Sequence, residues 1–365
     1  MYKLLLSLFF IATPVLAADL VIGQSAPLTG ANADLGKDIR DGALAYFGKI
    51  NAAGGIGGKK ITLVTLDDKN DAKLAAENTK TLVTEQKVVA LFGYASSTLS
   101  VPAMPLVKEQ KVPFFAPFTG ADAIRVQNDF VYTIRATYAD EIQKIVGFWG
   151  GVGASQVTVL HYNDAIGKQN FETVSRALEK FGKKPVSVAI ARNVDISPAD
   201  VQAVIASDPQ ILVVTTLYAP IAQLVTALKA QNKQYVTTSL SFAGASQLAK
   251  ALGKNAAGIS VALTVPLPSQ RSLPVVKECN DAWAAAERKD ALSVTALEAC
   301  IAAKILVSGL QGAGREPSRA TLQKSLSALS RVDTGGYVVE FKPNFRHGGK
   351  FVDIAVFRQN GELKQ

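Results

Sequence analysis

Residues 20–68 read LVIGQSAPLTGANADLGKDIRDGALAYFGKINAAGGIGGKKITLVTLDD, and their order decides the fold. A short apolar strand ends in a hydroxyl-bearing loop. A helical pattern runs from about Asp34 to Asn51, glycines end it, and a second strand closes on Asp67 and Asp68. This is one strand-helix-strand unit. The glycines stand in the wrong order for a nucleotide site, because phosphate loops follow a strand and open a helix whose N-terminus supplies free N–H groups. Gly54, Gly55, Gly57 and Gly58 instead follow a helix and precede a strand, as C-caps and turns of positive φ do. The nearest phosphate-loop match, Gly30 to Asp38, has five residues rather than four before Gly36-Lys37, and Asp38 where Ser or Thr is required.

Outward from this unit the alternation continues. Strands are readable near Val88 to Gly93, Val112 to Ala116, Val157 to His161, Val186 to Ile190, Ile211 to Thr215, Tyr235 to Ser239 and Gly258 to Thr264, with helical patterns between most of them. Such alternation predicts parallel sheets covered by helices on both faces, with ligands bound beyond the C-terminal strand ends. Function is therefore to be sought in the loops that follow strands. A chain of 365 residues also exceeds what one core usually holds, which implies two α/β lobes.

The N-terminus carries Lys3, an apolar run from Leu4 to Leu16 and a Val15-x-Ala17 site, the pattern of a secretory signal peptide over 1–17. Ala18 rather than cysteine follows the expected cleavage site, so no lipid anchor is expected. No later apolar run is expected to span a bilayer, which points to a soluble protein outside the cytoplasm. The formal net charge is +9, but Lys and Arg are scattered along helical patterns such as Lys73 to Lys87, a solvated surface rather than a nucleic-acid stripe. Only Cys279 and Cys300 occur, each in a helical pattern. Outside the cytoplasm a disulfide between them and two buried thiols are both open readings.

The wording PLTG at 27–30, INAAGGIGGKKI at 50–61 and the Asp67-Asp68 pair resembles the leucine/isoleucine/valine-binding protein family, type I periplasmic solute-binding proteins of ABC importers. The resemblance runs from about Leu20 to the C-terminus and is strongest before Ala139. It implies an α/β fold of two Rossmann-like lobes with parallel sheets joined by a three-segment hinge, near Arg135 to Ala139, Leu263 to Pro266 and Asn344 to Lys350. The lobes would then comprise 18–138 with 266–345, and 139–265 with 346–365. Thr137 followed by Asp140 reads as a cap opening the second lobe. The resemblance also implies a periplasmic monomer without cofactor that takes a small carboxylate-bearing ligand and meets an ABC permease and ATPase complex. A soluble sensor presenting its solute to a receptor is the alternative within the same fold.

Catalytic groupings are scarce. His161 and His347 have no Cys or carboxylate at zinc-ligand spacing; His161 ends a strand near the expected cleft, and His347 reads as an ordinary loop residue. Gly258-Ile-Ser260-Val-Ala262 lacks the final glycine of a nucleophile elbow, and Asp67-Asp68 reads as a strand-end turn. A secreted enzyme is the remaining alternative, without a nucleophile-base set or metal cluster to carry it.

The positive signal is a pair of hydroxyl-rich loops after strands, Tyr94-Ala95-Ser96-Ser97-Thr98 and Pro117-Phe118-Thr119-Gly120. Fixed donors and helix ends suit a carboxylate; each hydroxyl taken singly reads first as an N-cap, and it is the set together that points to a ligand. The family places ligand carboxylate here, which makes Ser96, Ser97, Thr98, Phe118, Thr119 and Gly120 the candidates for the acid end. Second-lobe candidates are Asp164, Tyr218 and Phe242, with Tyr138 at the crossing. Tyr94 belongs to the same set of loop aromatics, which would suit an apolar or aromatic acid. Relatives that bind amino acids carry a tyrosine where this chain has Ile166 and an acid near Phe242, so recognition of an α-ammonium lacks its usual partner.

Overall fold

The computed structural model describes residues 19–365 except 31, 127, 152, 154, 155, 343 and 344. The expected signal peptide and its cleavage site lie outside the described residues, as does Asn344 of the third expected crossing. The first sheet contains β1 (Leu20–Ala26), β2 (Ile61–Asp67), β3 (Ala90–Phe92), β4 (Phe114–Phe115) and β5 (Val131–Tyr132), all parallel, in the order β2-β1-β3-β4-β5. In the second sheet β6 (Val157–Tyr162), β7 (Val186–Ile190), β8 (Ile211–Thr215), β9 (Val236–Ser239) and β10 (Ser260–Leu263) are likewise parallel. A hairpin of β11 (Arg331–Asp333) and β12 (Val338–Glu340) stands apart, and β13 (Asp353–Phe357) and β14 (Leu363–Lys364) complete the second sheet as β14-β13-β10-β9-β8-β6-β7.

The expectation of parallel sheets needs correcting at β13 and β14. Leu263 pairs with Asp353 and Ser260 with Val356, so β13 runs antiparallel to β10. The chain leaves β10 at the edge facing the other lobe and returns at that same edge, which leaves only the reversed direction. Elsewhere burial on both faces is plain. Leu212 and Val214 of β8 enter one apolar cluster while Ile211 and Val213 enter the cluster on the opposite face.

In the first lobe the helix Ala33–Ala52 has Asp34 in its first turn and Lys49 in its last, each favourable to the helix dipole. Leu35, Ile39, Ala43, Tyr46 and Phe47 form its buried stripe. That stripe packs on the helix Val294–Gly312, and the approach is close. A Cβ on Gly42 would stand 2.1 Å from the Ala296 carbonyl oxygen. Val294–Gly312 is apolar and long enough to cross a membrane, contrary to the expectation that no later run is. Burial explains it, since 78% of its most apolar window is buried inside the folded chain. A disulfide joins Cys279 of helix Pro274–Ala285 to Cys300 of this helix.

Segments linking the lobes are stapled side by side. The Arg135 guanidinium donates to both Glu298 oxygens at 2.8 and 2.7 Å, and the Thr264 hydroxyl reaches the same carboxylate at 3.3 Å. Thr133 pairs with the third segment through Arg346 O, Gly348 N and His347 Nδ1, the last at 3.1 Å. His347 is thus a buried hinge residue rather than an ordinary loop residue. Gly349 passes so near that a Cβ on it would lie 1.7 Å from the Ile134 oxygen.

Candidate functional site

The C-terminal edges of the two sheets face each other, and side chains meet across the gap. Asn70 Nδ2 donates to Asn193 Oδ1 at 3.0 Å, Gln169 Nε2 to Asp122 Oδ2 at 3.0 Å, and Gln247 Nε2 to Asp38 Oδ2 at 2.9 Å. Between these bridges lies a cleft of about 320 Å³, mouth included.

One wall comes from the loop after β3. Ser96 accepts from the Leu99 amide and so caps the turn that starts at Ser97, which leaves Ser96, Ser97 and Thr98 on the cleft surface. Capping and lining coexist here, so the two readings of these hydroxyls are not exclusive. The Ser97 hydroxyl meets Thr119 Oγ1 at 2.7 Å, and Thr119 Oγ1 meets the Tyr138 hydroxyl at 3.2 Å. Thr119 also accepts from the Ala121 amide at 3.1 Å. A buried relay thereby fixes two lining side chains, Ser97 and Tyr138, from behind.

Phe118, Thr119 and Gly120 accordingly stand behind the wall rather than on it. Phe118 turns into the first-lobe core, where the Arg135 guanidinium covers its ring at 5.4 Å. Gly120 leaves room for Tyr138, whose Cδ1 would be 2.5 Å from an added Cβ. Tyr94 is likewise a core residue, bonded to Thr79 and set edge-on to Phe114. Tyr138 does reach the cleft, with Phe242 against it at a ring separation of 4.9 Å. Tyr218 is half-buried on the second-lobe core and does not line the cleft.

The other wall is richer than the sequence reading allowed. Tyr162, Ile166, Gly167, Asn170, Arg192, Thr215 and Leu217 all line it. The Arg192 guanidinium carbon lies over the Tyr162 ring, 3.8 Å from its centre, and its Nε donates to Asp164 at 2.7 Å. Asp164 also accepts from the Gly167 amide at the start of helix Ala165–Glu179. Burial opposes its ionisation, but Arg192 and the helix amides outweigh it and hold the carboxyl below the usual range. Each of its oxygens is thus engaged by a partner within the second lobe, and Asp164 is not among the residues that line the cleft. Asn170 Nδ2 and Thr215 Oγ1 are buried without a hydrogen-bond partner, and both residues line the cleft. None of the lining residues is acidic.

Two elements of the sequence reading carried signals for the missed residues. Arg192 follows β7, and the loop after that strand was open to the same reasoning as the others. Asn170 stands one helical turn after Gly167, on the same face. His161, by contrast, turns away from the cleft; it bonds Ser187 at 2.8 Å and stacks on Phe171. Strand alternation explains the exchange, since Tyr162 takes the cleft side. Among the described residues no three His, Cys, Asp or Glu side chains are grouped to hold a metal ion.

A profile of the periplasmic binding protein family matches residues 19–362. A Pseudomonas aeruginosa amino acid binding protein is 32% identical over 172 residues, 46% of each chain. A Brucella abortus Leu/Ile/Val-binding protein homolog is 29% identical over 192 residues, 52% of this chain and 50% of that one. The chain thus spans about half the length of the curated relatives it matches. A solved substrate-binding periplasmic protein from Ralstonia solanacearum has 30% identity and a TM-score of 0.90, covering 94% of this chain and 99% of that one. A possible leucine/isoleucine/valine-binding protein from Rhodopirellula baltica has 28% identity and a TM-score of 0.89, covering 97% of both chains. With two lobes, a hinge and a cleft between opposed strand ends, the chain belongs to the periplasmic binding protein family, in its leucine/isoleucine/valine-binding group.

Proposed function

We propose that this protein is the solute-binding component of an ABC importer and captures a small carboxylate-bearing ligand by closing its lobes, without performing chemistry on it. The observation that carries the reading is the pair of orphaned polar groups, Asn170 Nδ2 and Thr215 Oγ1, buried in a cleft whose opposite wall presents Ser96, Ser97 and Thr98. A buried donor without a partner costs about 1 to 3 kcal/mol, so such groups in a cleft await a polar ligand. The carboxylate would rest on the first-lobe hydroxyls, with Tyr138 and Phe242 flanking it. The lobes are read as 18–138 with 266–345 and 139–265 with 346–365, acting as a periplasmic monomer that presents its closed form to the membrane subunits.

Thermal unfolding of the purified protein with branched-chain and aromatic amino acids, their deaminated counterparts, their amides and short-chain acids tests the reading. A true ligand at a hundredfold over its dissociation constant stabilises by about 2.7 kcal/mol. Stabilisation by an acid but not its amide is expected. Turnover of a ligand on prolonged incubation, or stabilisation by amides alone, would overturn it.

A further inference from the structure

Among the described residues that line the cleft, Arg192 is the one charged side chain, and its surroundings leave it half used. The Tyr162 ring supports the guanidinium from one side and Asp164 takes its Nε, while neither terminal amino group has a partner among the described residues. Beside it stand the Asn170 amide and the Thr215 hydroxyl, 3% and 0% exposed, equally unpartnered. Asp164, bonded to this wall through Arg192 and the Gly167 amide, does not itself line the cleft. The second-lobe wall thus offers a cation and convergent polar hydrogens where an ammonium ligand would need an anion.

We propose that the ligand carries a second carboxylate at the end facing this wall, received by the terminal amino groups of Arg192 together with Asn170 and Thr215. The inference rests on the carboxylate-binding reading above and deepens it. The protein would hold a dicarboxylate end to end, one acid on the hydroxyls of Ser97 and Thr98 and the other on Arg192. A planar fork held by an aromatic face suits a bidentate carboxylate contact, which an ammonium at the same place would not reproduce. The Asp164 charge keeps the empty site near neutral, so the cation is not left uncompensated before a ligand arrives.

Calorimetry with pairs matched in length tests this: succinate against butyrate, glutarate against valerate, adipate against hexanoate, and phthalate against benzoate. At least one dicarboxylate is expected to bind about 30-fold more tightly than its partner, the worth of a charge-assisted contact. Arg192→Gln is expected to bring that ratio to near one, and Arg192→Lys not to restore it. A wild-type ratio near one for every pair overturns the proposal and leaves the carboxylate-binding function standing. So does a ratio that survives in a folded Arg192→Gln protein. If neither member of any pair binds, the proposal also falls, and the broader function falls with it only if amino acids and aromatic acids fail too.

Discussion

Replacing Glu298 by Gln should destabilise the protein by about 3 kcal/mol, although the change removes a single charge. The carboxylate accepts two bonds from Arg135 at 2.8 and 2.7 Å and a third from Thr264, and the two ionic side chains are 5% and 4% exposed. Breaking a buried pair from one side typically costs about 3 to 5 kcal/mol, because the remaining charge keeps its desolvation penalty without its compensation. Gln retains one acceptor oxygen, which places the loss at the lower end. Arg135 has a terminal nitrogen with no partner, so it has no spare bond to fall back on. The double variant Arg135→Met/Glu298→Met should recover most of the loss, since it removes both charges and fills the space. Urea unfolding at pH 7 reads the effect as a lower midpoint at unchanged slope. A single variant within about 1 kcal/mol of wild type, or a double variant no better than the single, would refute the reasoning and mark the pair as replaceable.

Burial together with the Arg125 and Arg346 charges pulls the His347 imidazole down to about 4. The unfolded ring titrates near 6.5, so the native state binds fewer protons between these values; its contribution is intact above pH 6.5 and is lost as pH falls towards 4. His347→Gln should therefore lose about 2 kcal/mol less than wild type between pH 7 and pH 5 in matched urea titrations; equal slopes with pH would contradict it. The disulfide joins residues 21 apart, which by chain entropy alone is worth about 3 kcal/mol. Cys279→Ala/Cys300→Ala should lower the unfolding midpoint accordingly, while two free thiols per denatured, unreduced wild-type chain would show there is no bridge to lose. Gly120→Ala should weaken ligand binding, because its Cβ would press within 2.7 Å of the Tyr138 backbone and push the ring from its place. Overpacking of this kind costs about 1 to 3 kcal/mol, and unchanged affinity would show that Tyr138 does not shape the site.

Strands that follow helices were legible because the switch between periods of two and 3.6 marks them. The nine strands read from the sequence all occur. Missing were β5, with two residues, the hairpin of β11 and β12, with three residues each, and β13 and β14, which no helix precedes and whose direction depends on where the chain re-enters a sheet. In the cleft, Ser96, Ser97 and Thr98 were legible because strand-end hydroxyls are conspicuous. Thr119 was legible as a residue but not in its place, because whether a side chain lies on a wall or behind it depends on a turn of one residue. Arg192 escaped because a lone arginine after an edge strand looks like any solvated charge. Only the Tyr162 ring beneath it and Asp164 beside it, 28 residues away in sequence, distinguish it.

The packing of helix Ala33–Ala52 against Val294–Gly312 also sets an order of biogenesis. The strands β6 to β10 are contiguous in the chain and can pair as they emerge, whereas the apolar stripe of the early helix has its cover encoded near the opposite terminus. Since synthesis runs from the N-terminus, the second lobe's central strands can be native while the first-lobe sheet still shows an open flank. During that interval Ile39, Ala43 and Phe47 form an adhesive surface that a holding chaperone could occupy. The disulfide, with both cysteines in the late segment, can form only after that interval is nearly over, and so locks the lid of the first lobe rather than guiding its assembly.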